Sequence, residues 1–218
     1  MQIFVLDSES SDESVAIARD RGARVEIKPF AGFVNARRYA LTHVQTPWTF
    51  MIDADERPDG TLRDALLAAD GSADGYVVSR NTYYCGKPLR MWSNERLLRV
   101  FRTDRARLEA QPAAGGAAQL HERWTCDGRV ETLAGTLEHY SYPDAASYRK
   151  KFAAYTSVEA RGLRAGTGSA LLQSAIVPLR FMHTLFARGA LLDGPAGWSI
   201  AWYSALYPAV VQWKAVRS

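Results

Sequence analysis

The sequence predicts an α/β fold that gives way to helices near residue 145. Two short apolar runs, Ile3 to Leu6 and Trp48 to Ile52, have the length of buried strands and stop at acidic residues. Helical patterns lie between them at βαβ spacing, which argues for right-handed units and a largely parallel sheet. From about Ala145 onward, apolar and aromatic residues recur at helical spacing. The expected division is therefore an α/β part over 1–144 and a helical region over 145–218.

Taken in order, Ile3 to Leu6 is a strand ending at Asp7. Ser10 and Glu13 have capping-box spacing for a helix from about Ser11 to Arg21, with Gly22 as the residue after its C-cap. Arg24 to Lys28 alternates around Val25 and Ile27 and reads as a strand. A helix from about Asn35 to Val44 then leads to the strand Trp48 to Ile52. Thr61 to Ala69 is a short helix with Leu62, Leu66 and Leu67 on one face. Gly75 to Val78, Leu97 to Arg102 and Leu133 to Tyr142 are strands, Tyr83 to Pro88 is a turn, and Gln111 to Gln119 is a glycine-bearing loop.

In the helical region, Leu172, Ala175, Ile176, Leu179, Met182 and Phe186 form an apolar stripe opposed by Gln173, Arg180, Thr184 and Arg188, with a kink expected at Pro178. The run Ala196 to Trp213 carries no charge, holds Trp198, Trp202, Tyr203, Tyr207 and Trp213, and is interrupted by Pro208. Its aromatics suit a lipid headgroup interface, so peripheral or re-entrant membrane contact is expected there. A packed helical cap on the sheet is the alternative.

The acidic stretch Asp53-Ala54-Asp55-Glu56 is the clearest chemical signal. Asp53 and Asp55 are two positions apart, so an extended backbone points both the same way. Crowded carboxylates repel unless a cation lies between them, and Mg²⁺ is typically held by one or two carboxylates plus substrate phosphates. A solvated turn is the plainer alternative, because Asp, Glu, Pro58 and Gly60 all favour turns. Ligands of such sheets bind outside the carboxyl ends of strands, so Asp7 and Asp53 are expected at one rim.

Composition limits the partners. With 47% hydrophobic and 23% charged residues the chain is ordinary for a globular protein. Its net charge is +4, with arginines scattered along the sequence, so nucleic acid is not indicated, whereas anionic lipid or a sugar nucleotide fits. Cys85 and Cys126 have no metal-ligand spacing and are expected as reduced thiols. No signal peptide is expected ahead of Ile3 to Leu6.

The ordered set Asp7-Ser8-Glu9-Ser10-Ser11-Asp12, Gly32-Phe33 with Tyr39-Ala40-Leu41, and Asp53-Ala54-Asp55-Glu56-Arg57 resembles glycosyltransferase family 2, in particular bacterial lipopolysaccharide-core β-1,4-glucosyltransferases. The likeness continues through Leu98 to Arg102, Leu120-His121-Glu122, His139-Tyr140-Ser141-Tyr142 and Arg188 to Gly194. It implies a GT-A fold, a Rossmann-like mixed sheet with a membrane-associated helical appendage. It also implies transfer of a hexose from a nucleotide sugar, most simply a UDP-sugar, with inversion, to a lipid-linked or core glycan acceptor at the cytoplasmic face of the inner membrane.

On that resemblance Asp55 and Asp53 hold Mg²⁺ or Mn²⁺ against the diphosphate, with His139 a further candidate ligand. Asp7, Asp12 and Asp53 attend the nucleotide, Arg37 and Arg38 meet phosphate, and Glu122 is the general base. His121 and His139 are alternatively placed to orient the Glu122 carboxylate, and His139 to hydrogen-bond within the sheet. Two departures from the family pattern stand out. The sequence starts after the family's usual first strand and helix, and Ala36-Arg37-Arg38 stands where relatives carry Gln, a basic residue and Asn. The rival readings are a shortened, non-catalytic relative and a membrane-tethered assembly module.

Overall fold

The computed structural model describes residues 2–111 and 121–217, with the backbone alone for Ala110, Gln111, His121 and Glu122. Strand β1 (Phe4–Asp7) pairs in parallel with β2 (Arg24–Ile27), and helix α1 (Ser14–Asp20) connects them. Gly22 does follow the helix as expected. At φ +78° it closes the end, its N–H reaching Arg19 O at 2.8 Å while Ala23 N–H reaches Ala18 O at 3.0 Å. The expected capping box does not form. Ser10 binds Asp7 instead, and α1 has no side-chain cap.

Helix α2 (Phe33–Thr42) leads to β3 (Trp48–Phe50), then β4 (Glu56–Pro58), α3 (Gly60–Ala68), β5 (Gly75–Tyr84), β6 (Lys87–Pro88), β7 (Glu95–Arg102), β8 (Ala106–Gln111), β9 (His121–Cys126) and β10 (Val130–Tyr142). The main sheet runs β3-β7-β5-β10-β4, with β6 beside β5. Only β5 and β10 are parallel in it. This corrects the largely parallel sheet expected from the first three strands. The βαβ reading assumes that successive strands become neighbours. Here β3 pairs antiparallel with β7, setting Trp48, Thr49 and Phe50 opposite Arg102, Phe101 and Val100. The β1–β2 pair has no hydrogen-bonded register with the main sheet among the described residues, and β8–β9 is a third, antiparallel pair.

Packing explains the layers. Leu62 of α3 is fully buried against Val78 and Leu137, whereas Leu67 faces solvent, so the expected three-leucine face is narrower than its spacing suggested. Removing each such side chain from water contributes about 1.5–3 kcal/mol. The close seat of α3 depends on Gly135, which lies at φ +89° where the β5–β10 register shifts. A Cβ there would stand 2.2 Å from Leu62 N. Asp59 caps α3 by accepting from Leu62 N–H at 2.7 Å and ties it to β10 through the Thr136 hydroxyl at 2.7 Å.

The helical region is α4 (Ala145–Arg161), α5 (Thr167–Ala175), α6 (Val177–Ala187) and α7 (Gly194–Arg217). Asp144 caps α4, accepting from Ser147 N–H at 2.7 Å. Tyr148 of α4, Leu185 of α6 and Ile200 of α7 share one core with Tyr84, Leu89 and Met91, so the helices are packed onto the sheet. Pro178 sits in the first turn of α6, where its missing N–H costs nothing, so the expected kink is a break between two helices. Helix α7 runs through Pro208, contrary to the expected interruption, and buries Gly197, Ile200, Ala201, Ala205, Ala209 and Val211. Most of the run expected at a membrane is thus the central helix of this region. No single helix among the described residues is long and apolar enough to cross a bilayer.

Candidate active site

Helix α2 joins the two halves of the site. On one side its residues Asn35, Ala36 and Tyr39 line a cavity of about 240 Å³ with Leu6, Ser8, Lys28, Pro29 and Ala31, at the carboxyl ends of β1 and β2. Tyr39 also donates to Glu26 of β2, and Lys28 Nζ lies 3.7 Å from the centre of the Tyr39 ring. On the other side Val34 is buried against Phe101, Leu108 and Trp124, and Arg37 donates to Asp53 Oδ1 at 2.7 Å. Arg38 is used structurally, donating to the Leu108 carbonyl of β8 at 3.1 Å.

Asp7 closes β1 beside this cavity. Its carboxylate accepts from Ser10 N–H at 2.9 Å and from the Ser10 hydroxyl at 2.6 Å, and those bonds hold it below the usual carboxylate range. Asp12, farther along the loop, accepts from Ser14 N–H at 3.0 Å and is lowered by the same kind of bond to Ser14. Both carboxylates therefore shape the loop from Ser8 to Glu13. Of the two, Asp7 is the one set beside a residue that lines the cavity, Ser8.

Asp53 sits in a chain of alternating charges. Arg37 binds one of its oxygens, and Arg99 binds the other at 3.1 Å. Arg99 continues to Glu56 at 2.6 Å, Glu56 accepts from Arg80 at 3.0 Å, and Arg80 reaches Glu95 at 2.6 Å. Glu56 also accepts from Asp53 N–H at 2.9 Å, which sets the turn carrying both aspartates. Burial alone would raise the Asp53 carboxyl, but Arg99 and Arg37 outweigh it and hold the group below its ordinary value. Both Asp53 oxygens are engaged by guanidinium, an arrangement that fixes the two arginines against the turn.

Asp55 has the different environment. Its Oδ2 stands 3.3 Å from His139 Nε2, while His139 Nδ1 lies 3.1 Å from the Thr82 hydroxyl. One ring nitrogen of His139 makes the hydrogen bond within the sheet that was its plainer expectation, and the other faces the Asp55 carboxylate. The bond to His139 lowers the Asp55 carboxyl more than burial raises it, and Lys151 of α4 adds to the lowering. The β4–β10 pairing aligns the partners: Glu56 lies opposite His139, and Tyr140 N–H donates to Asp55 O at 2.8 Å.

Together Asp55 and His139 offer one oxygen and one nitrogen donor. Among the described residues no group of three or more His, Cys, Asp or Glu side chains gathers around one point. Two protein donors fit a divalent ion whose shell is completed by substrate phosphates and water, and the imidazole suits Mn²⁺ better than Mg²⁺. Glu122 lies on β9 opposite Ala110, and its side chain is outside the described part, as is the loop expected over Gln111 to Gln119 apart from Gln111 itself.

Four members of the charge chain, Glu56, Arg80, Glu95 and Arg99, were not anticipated as site residues. Arg99 had a signal, being the one charge inside the apolar run Leu97-Leu98-Arg99-Val100-Phe101 of a central strand.

The family model for glycosyl transferase family 2 matches residues 1–121, and the chain belongs to that family. Its mixed α/β architecture is the GT-A type the family implies. The chain is 31% identical to lipopolysaccharide core biosynthesis glycosyltransferase LpsC of Rhizobium meliloti, over 64% of this chain and 53% of LpsC. It is 36% identical to uncharacterized glycosyltransferase RC0292 of Rickettsia conorii, over 46% of this chain and 34% of that protein. The chain thus spans a third to a half of the lengths of these relatives. A structure of S. aureus TarS 1–349 in complex with UDP superposes with a TM-score of 0.39 at 14% identity, covering 95% of this chain and 70% of TarS.

Proposed function

We propose that this chain transfers a hexose from a nucleotide sugar, a UDP-sugar by preference, to a lipid-linked or lipopolysaccharide-core acceptor, inverting the anomeric centre. The observation that carries the proposal is the pairing of Asp55 with His139 at 3.3 Å, next to an Asp53 already held by two arginines, in a member of family 2. Residues 1–144 would carry the reaction and 145–218 the attachment to the acceptor's surface.

The geometry supports roles for the described residues, and the role of Glu122 rests on the family resemblance. The cavity at the ends of β1 and β2 is open to the nucleoside, with Lys28 and Tyr39 at its wall and Asp7 holding the loop beside it. Asp55 and His139 would hold Mg²⁺ or Mn²⁺, which when bound offsets the charge on the leaving diphosphate. Asp53 keeps Arg37 and Arg99 aimed at the same turn. In the transfer the acceptor hydroxyl oxygen bonds to the anomeric carbon from the side opposite the diphosphate, the carbon–diphosphate oxygen bond breaks, and the hydroxyl proton passes to the Glu122 carboxylate.

Calorimetry with UDP- and GDP-sugars, with and without Mn²⁺, tests this reading. Metal-dependent binding of one donor class is expected, and its absence for all of them overturns the reading. Glu122→Gln is expected to bind donor normally and to lose transfer by roughly 10²–10⁴-fold. A variant that transferred normally would remove Glu122 from the mechanism.

A further inference from the structure

The apolar stripe of the helical region faces the wrong way for a core. Val177, Thr184 and Leu185 are the side of α6 packed inward, against α7 and the sheet core. The opposite side is exposed and apolar, with Leu179 70%, Met182 44% and Phe186 66% accessible. Helix α5 adds Leu171 and Leu172, the turn Ala190–Asp193 adds Leu192, and Trp198 and Trp202 of α7 are about half exposed. Scattered exposed leucines need no explanation, but a run of them along two successive helices does.

The charges select the partner. Over 160–218 the sequence holds six Lys or Arg and one acid, Asp193. That carboxylate is turned inward, its side chain 5% exposed, and accepts from Arg90 N–H at 2.9 Å. Exposed Arg161 and Arg164 precede α5, and exposed Arg188 follows α6, so cations flank the apolar pair at both ends. A second copy docked face to face would bring these cations against their own kind, whereas an anionic headgroup layer neutralises them.

We infer that the outward face of α5, α6 and the Ala190–Asp193 turn seats the protein on an anionic lipid surface, with Leu179 and Phe186 entering the acyl boundary and the flanking arginines at the headgroups. The helices lie in the surface and do not cross it, because α6 is held to α7 by its buried side and by the edge-on contact of Phe181 with Trp202 at 5.6 Å. The contact expected at Ala196 to Trp213 lies on α7, where Gly197, Ile200, Ala201, Ala205, Ala209 and Val211 are buried and Trp198 and Trp202 are exposed.

Flotation of the whole chain with phosphatidylcholine vesicles, with and without phosphatidylglycerol, tests the inference without donor or acceptor. A failure here therefore leaves the transfer reading standing. Binding is expected to need phosphatidylglycerol and to weaken with salt. Leu179→Ser with Phe186→Ser should lower it about tenfold or more while leaving the far-ultraviolet circular dichroism unchanged, since neither side chain is packed. Arg161→Glu with Arg164→Glu should weaken it independently. Absence of binding to the anionic vesicles at low salt, or binding indifferent to both pairs of substitutions, overturns the inference. So does a concentration-dependent dimer that the Leu179 and Phe186 changes abolish in a protein that ignores vesicles.

Discussion

Arg99 donates to Glu56 at 2.6 Å where the two side chains are 5% and 0% exposed, and the same guanidinium holds Asp53. A pair so buried is worth little against a well-packed apolar substitute, yet breaking it by removing one partner leaves a charge out of water. Arg99→Met should therefore lower the unfolding free energy by about 3 kcal/mol in urea titrations. Arg63→Ala, which breaks an exposed pair with Asp64, should leave the midpoint where it was. Equal effects from the two would mean that the charge chain adds nothing to the fold.

Asp53 and Asp55 both titrate below their ordinary value of 3.8. A depressed carboxyl favours the folded state in its ionised form, so its contribution is present above the unfolded-state pKa and is lost as pH falls through the lower folded-state value. These two groups should leave stability flat between neutrality and about pH 5 and steepen its decline below about pH 4. In Asp53→Asn the decline should be shallower over that acid range. An unchanged acid limb in equilibrium unfolding would contradict the Arg37 and Arg99 clamp.

Asp55→Asn should abolish the Mn²⁺ dependence of donor binding, because it removes the one carboxylate beside His139 that no arginine engages. His139→Gln should weaken that dependence by roughly ten- to a hundredfold. Calorimetry with and without Mn²⁺ reads both. If His139→Gln were silent while Asp55→Asn was not, the ring would be a sheet residue alone, held by Thr82.

Gly135→Ala combines a left-handed backbone with a Cβ placed against the Leu62 amide, and no side-chain rotation relieves either. The expected loss is about 2–3 kcal/mol, read as an earlier urea midpoint. Protection of amides in α3 should fall with it, because Leu62 and its Asp59 cap must move. A neutral result would place the bulge elsewhere on β10.

Several local features of this fold were legible in the sequence, though not the unmade Ser10–Glu13 cap or the helix running through Pro208, and long-range pairings were not. Gly22 ends α1 as its position announced, and Leu62 is core as its spacing announced. Periodicity says which side of a segment is apolar, but not what that side meets. That is why the Leu179–Phe186 stripe could be read and its outward direction could not. Strand pairing is likewise chosen by partners far along the chain. The run Trp48 to Ile52 was read as a strand of a largely parallel sheet, whereas its strand part, Trp48–Phe50, pairs antiparallel with Glu95–Arg102. At the site, Asp53 and Asp55 stood out by spacing, and their different fates were decided by Arg99 and His139, 46 and 84 positions later in the chain.

The separation of β1–β2 from the main sheet has a dynamic consequence. Among the described residues α2 links the two, holding β1 and β2 through Tyr39 and His43 and the sheet through Val34 and Arg37. A pair without ladder bonds to its neighbours can open as a unit of its own, at a free energy below that of global unfolding. Amides of β1 and β2 should then exchange with deuterium sooner than those of β5 and β10. A nucleoside that enters the cavity α2 borders should slow them toward the pace of the core, so that ligand binding and the ordering of this strand pair become one event.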